Sequence, residues 1–69
     1  MTLNEFINEL KHKTTKLLII VDEQLAVFDS DVSTYDHWIK RGNYDNKPIS
    51  RIHSNIKGFG FVIYIKGGE

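Results

Sequence analysis

Lys57-Gly58-Phe59-Gly60-Phe61-Val62-Ile63-Tyr64, running on into Ile65, is the stretch whose reading decides the fold of this 69-residue chain. Side chains alternate across a strand, so Phe59, Phe61, Ile63 and Ile65 share one face. Gly58, Gly60, Val62, Tyr64 and Lys66 share the other. Burying a large apolar side chain is worth about 1.5 to 3 kcal/mol. Four of them left in water would forfeit most of a small domain's stability. The Phe face is therefore expected to be the core face, and the stretch the central strand of a small sheet.

Working back from it, Asn55 to Gly58 is expected to be a turn and Ile49 to His53 a preceding strand. Asn43 to Pro48 is polar, holds the chain's one proline and reads as a loop. Ser33 with Asp36 three residues on has the form of a capping box. Tyr35, Trp38 and Ile39 then fall on one face before Gly42, giving a short helix from about Thr34 to Arg41. Lys16 to Val21 and Leu25 to Phe28 are apolar runs separated by Asp22-Glu23-Gln24, which fits a hairpin. At the start, Thr2 and Glu5 form a second capping box, with Met1 and Phe6 placed as its hydrophobic staple. Leu3, Phe6, Ile7 and Leu10 recur at helical spacing, so a first helix is expected over about Leu3 to His12. The order α-β-β-α-β-β implies an α+β fold: a small antiparallel sheet of about four strands with one or two helices on one face.

The composition limits what such a domain can be. A single domain of this length, 1–69, buries only about 60% of the surface that its unfolded chain exposes. With no cysteine, neither a disulfide nor a thiolate zinc site reinforces it. Hydrophobic residues at 41% and charged residues at 26% place it among globular chains. Its apolar runs are too short to span a membrane and no signal peptide is visible, so a soluble, cytoplasmic protein is expected.

Nine acidic and nine basic residues cancel, but they are sorted along the chain. Between Leu17 and Ile39 lie Asp22, Glu23, Asp29, Asp31 and Asp36 with no Lys or Arg. Between Asn46 and Gly68 lie Lys47, Arg51, Lys57 and Lys66 with no acid. Such sorting permits an acidic lobe able to meet a basic partner, or acidic and basic strands that lie side by side and pair. Trp38 and Tyr35 either anchor an interface or close the core, and a chain this short needs them in the core.

The eight residues from Lys57 to Tyr64 resemble the ribonucleoprotein octapeptide of RNA-recognition motifs, in which the two Phe positions face solvent and stack bases. That resemblance implies nucleic-acid contacts at Lys57, Phe59 and Phe61. The chain departs from the family elsewhere: it opens on a helix, Leu18-Ile19-Ile20-Val21-Asp22-Glu23 has no aromatic, and only five residues follow Tyr64. Cold-shock domains share Lys-Gly-Phe-Gly-Phe but carry it near the start of an all-strand barrel.

Catalytic and metal motifs fail on their spacing. Gly58-x-Gly60 has Ile63 where a dinucleotide fingerprint needs its third glycine. Asp29-x-Asp31 opens like a calcium loop, but Lys40 stands where the bidentate Glu belongs. His12, His37 and His53 lie on separate elements. No catalytic residue, metal or cofactor is assigned, and an enzyme is not expected.

As a whole the chain resembles the short accessory proteins of bacteriophages and prophages. The features that carry this are the capped opening Met-Thr-Leu-Asn-Glu-Phe, the strand Leu17 to Val21, Ile49-Ser50-Arg51-Ile52-His53 and the closing Phe61-Val62-Ile63-Tyr64-Ile65. Nine Ile and five Asn against one Ala suit an AT-rich genome. That group includes anti-CRISPR inhibitors, some of which offer acidic side chains in place of DNA phosphates. The resemblance implies a non-enzymatic inhibitor of a host defence nuclease, with Asp22, Glu23, Asp29, Asp31 and Asp36 as the contact residues. Two alternatives remain: a single-stranded RNA or DNA binder using Lys57, Phe59 and Phe61, and a homo-oligomeric structural or regulatory phage protein pairing through an open sheet edge.

Overall fold

In the computed structural model, which describes residues 1–54 and 60–67, the order is α1 (Leu3–Asn8), β1 (Lys16–Val21), β2 (Leu25–Asp31), α2 (Val32–Asp36), a 3-10 turn (Arg41–Asn43), β3 (Ile49–Ser54) and β4 (Phe61–Ile65). The strands form one sheet in the order β2-β1-β4-β3. The α+β class and the element order are as the sequence implies. The sheet is mixed, however: the two outer pairs are antiparallel and the central pair β1–β4 is parallel. Which strands are central is legible in composition. Lys16–Val21 and Phe61–Ile65 are apolar at successive positions and so belong in the middle of the sheet, whereas β2 and β3 carry polar residues that suit its edges.

Both helices lie on one face. Leu17, Ile19, Ile63 and Ile65 from the central strands are buried with Phe28, with Leu3 and Ile7 of α1, and with Val32 and Tyr35 of α2. Phe61 is half-buried and packs against this core, its ring edge-on to Phe6 at 5.2 Å. The Phe face is thus the core face at Phe61. Phe59, Lys57 and the turn expected over Asn55 to Gly58 lie outside the described residues.

The capping box of Thr2 and Glu5 forms as expected. Thr2 N–H donates to Glu5 Oε1 at 2.8 Å and Glu5 N–H to Thr2 Oγ1 at 3.3 Å. The amides of Leu3 and Asn4, which no residue of the same helix can satisfy, donate to the carbonyls of Lys47 and Asp45. The helix stops at Asn8, four residues before His12. The reason lies further on: Ser33 N–H and Val32 N–H donate to the carbonyls of Lys13 and Thr15, which tie the turn at Lys13-Thr14 to the start of α2. Met1 does not form a buried staple; it is 62% exposed, and Phe6 turns to Phe61 instead.

The second helix is also displaced. Its cap is Asp31, whose Oδ1 accepts the Thr34 amide at 2.8 Å, and not Ser33. β2 accordingly runs on to Asp31, three residues beyond Phe28. After Asp36 the chain turns, and Gly42 sits inside the 3-10 turn instead of ending a helix. Trp38 lies 5.0 Å from Phe28 and stacks on Tyr44 at 5.5 Å, so it closes the core. No helix among the described residues is long and apolar enough to cross a membrane.

Candidate partner-binding surface

The five acids between Leu17 and Ile39 go to different places. Asp22 and Glu23 form the β1–β2 turn, with Gln24 N–H donating to the Val21 carbonyl at 3.0 Å. Both have positive φ, 53° and 60°. That is left-handed backbone, which Gly and Asn adopt at least cost. Asp22 Oδ1 accepts the Gly67 amide at 3.0 Å, and Glu23 Oε1 receives Arg51 at 3.3 Å. Asp29 is exposed on β2 opposite Leu18.

Asp31 and Asp36 stand at the other end of β1, where Asp31 pairs in register with Lys16. The Thr34 amide that Asp31 caps holds its carboxyl below the usual 3.8. Asp36 Oδ2 receives Lys13 at 2.9 Å and its Oδ1 receives Arg41 at 3.4 Å. These two acids serve the helix and its neighbours. Asp22, Glu23 and Asp29 are the exposed three of the five; Asp22 and Glu23 reach from the turn towards the ends of β4 and β3, and Asp29 stands on the edge strand β2.

A polar knot ties the helical layer together. Tyr35 is fully buried, and its hydroxyl donates to Asp45 Oδ1 at 2.6 Å. Burial, then the neighbouring Asp45 carboxylate, pushes the Tyr35 phenol well above its usual 10. Arg41 donates to Asp45 Oδ2 at 3.1 Å, to the Asp36 carbonyl at 3.3 Å and to Asn4 Oδ1 at 3.1 Å. Its groups answer one another, so the knot joins α1, α2 and the 41–45 segment.

The face of the sheet that the helices leave bare is the larger feature. Strand register lays it out in two rows. One runs Asp29–Leu18–Val62–His53 and the other Ala26–Ile20–Tyr64–Arg51. Leu18, Ile20, Val62 and Tyr64 are half-buried by their neighbours, and none of them packs on the core. Arg51 spreads over the Tyr64 ring at 4.3 Å and His53 meets it edge-on at 5.8 Å. The parity is the reverse of an RNA-recognition motif: the Phe61 ring faces the helices, while Val62 and Tyr64 face outward. Alternation along the last strand signals that parity. The row structure of the bare face escapes sequence reading, because it depends on a parallel pairing that no short-range pattern signals.

Two further features bear on chemistry. A recess of about 330 Å³ is lined by Asp22, Glu23, Ser50, Ile65 and Lys66 at the turn end of the sheet. Among the described residues, no three His, Asp or Glu side chains converge as a metal site would need. Comparison with family models, with curated proteins and with solved structures gives no match.

Proposed function

We propose that this chain is a non-enzymatic binding protein of the anti-CRISPR type. In this reading it inhibits a host defence nuclease by laying its β1–β2 hairpin on a basic, nucleic-acid-binding surface. The observation that carries the reading is the hairpin itself, whose exposed residues include Asp22, Glu23 and Asp29 together with Leu25, which is 62% exposed. Carboxylates beside an exposed apolar group suit a protein surface rich in Arg and Lys, whose aliphatic stems pack on Leu while their charges meet the acids. The contact residues narrow from five acids to three on exposure: Asp22, Glu23 and Asp29 are exposed, whereas Asp31 and Asp36 are half-buried where they cap α2 and pair with Lys13 and Arg41.

The test is a plasmid-cleavage assay with a panel of CRISPR effector nucleases, comparing the wild-type chain with the D22K/E23K/D29K variant. Inhibition by wild type and its loss in the variant, with thermal melting retained, is the expected result. Undiminished inhibition by the folded variant overturns the acidic-hairpin reading. Inhibition of no member of the panel overturns the nuclease assignment.

A further inference from the structure

We infer that the bare face of the sheet is a docking surface for a second copy of this chain, related by a two-fold axis that lies in the interface and runs along the strands. The argument rests on the two rows and is independent of the nuclease reading. Packing two such faces by a two-fold axis leaves two simple choices of in-plane direction.

An axis running across the strands stacks β2 on β2 and β3 on β3. That puts Asp29 near Asp29 and gathers Arg51 and His53 against their own copies, so like groups oppose each other. An axis running along the strands stacks β2 of one copy on β3 of the other. Asp29 then faces His53 of the second copy, because both belong to the same row, Asp29–Leu18–Val62–His53. Leu18 meets Val62, apolar on apolar, and Ile20 meets the Tyr64 ring with the Arg51 guanidinium that lies over it. The small Ala26 lies opposite the position of Arg51, which leaves that side chain room to stay on the ring.

Strands about 4.8 Å apart with a rise of about 3.3 Å per residue give a face of roughly 19 by 17 Å. That is smaller than the roughly 800 Å² per partner of a standard interface, so the dimer is a weak one that forms with rising concentration. The same axis keeps strand direction and so sets both Asp22-Glu23 turns at one end of the dimer.

The test is sedimentation equilibrium of the full chain from about 1 µM to about 1 mM, without any nuclease, so that its outcome is separate from that of the inhibition assay. Wild type is expected to dimerise within that range. Asp29→Lys and His53→Glu, both at exposed positions, are each expected to weaken self-association about tenfold. Mixing the two variants is expected to restore it. In the mixed dimer the introduced lysine faces the introduced glutamate across one end of the row, and the native His53 and Asp29 face each other across the other. A monomer throughout overturns the inference, as does a dimer indifferent to both substitutions. Dilution of labelled wild type, followed by amide chemical shifts, gives a second reading. Changes centred on Leu18, Ile20, Val62 and Tyr64 are expected, and changes confined to the outer edge of β3 overturn the face-to-face arrangement.

Discussion

The turn residues Asp22 and Glu23 sit where the backbone is least comfortable for them. A non-glycine residue in the left-handed region costs roughly 1 to 2 kcal/mol, and Glu has no short side-chain hydrogen bond to offset it. Against this, Glu23 makes only an exposed ion pair with Arg51, worth roughly 0.5 kcal/mol. Glu23→Gly is therefore expected to raise stability by about 0.5 to 1 kcal/mol, read as a higher urea midpoint. A fall instead would show that the ion pair outweighs the strain. If the hairpin is the contact surface, the same substitution weakens inhibition, so that stability and activity move in opposite directions. Gly60 is the second position where a side chain matters by its absence. A Cβ there would stand 2.3 Å from Thr15 Cγ2 and 2.8 Å from the Lys16 carbonyl oxygen. The Gly60 amide also donates to that oxygen at 2.9 Å. Gly60→Ala is expected to destabilise by about 1 to 3 kcal/mol, and an unchanged melting temperature would refute this account. The glycine that completes an RNA-binding pattern on paper serves here to bring β4 up to β1.

At the level of elements, capping decides where α2 begins, and two chemically plausible caps compete for it. Ser33 with Asp36 reads well as a box, but β1 extends β2 by pairing as far as Asp31, and this delivers the Asp31 carboxylate to the helix start. Nothing local in Val32-Ser33-Thr34 distinguishes the two. Thr2 and Glu5, with no strand competing for them, are legible directly. Asp31→Ala is expected to lower the melting temperature well beyond Ser33→Ala, and equal effects would return the cap to Ser33. The pH dependence has a definite sign. Asp31 titrates below its usual 3.8 in the folded chain, so its contribution is present above that value and disappears as pH falls through the lowered one. The gap in melting temperature between wild type and Asp31→Ala should therefore close under acid. The first helix ends early for a related reason. Lys11, His12 and Lys13 suit a helix terminus by charge, yet the carbonyls of Lys13 and Thr15 are claimed by Ser33 and Val32 from across the fold.

For the whole molecule, the decisive choice is which strands lie in the middle. The apolar pattern of Lys16–Val21 and Phe61–Ile65 identifies both as core strands, and burial of Leu17, Ile19, Ile63 and Ile65 agrees. Their parallel alignment is not legible, because it is a relation between segments far apart in sequence and leaves no mark within either one. Leu17 pairs with Phe61. A chain ending at Ser54 would thus retain α1, the hairpin and α2 yet have nothing to fill the gap between β1 and β3. It is expected to show no cooperative melt by circular dichroism, and a sigmoidal transition would show that β4 is dispensable. The parallel pair also bears on refolding. The β1–β2 hairpin is a local contact and can form before β4 arrives, with the inner edge of Leu17-Leu18-Ile19-Ile20-Val21 unpaired. Two such chains can pair along that edge before either receives its own β4. The yield of soluble protein on dilution from urea should then fall as protein concentration rises, and a yield indifferent to concentration would show that this edge is never left open.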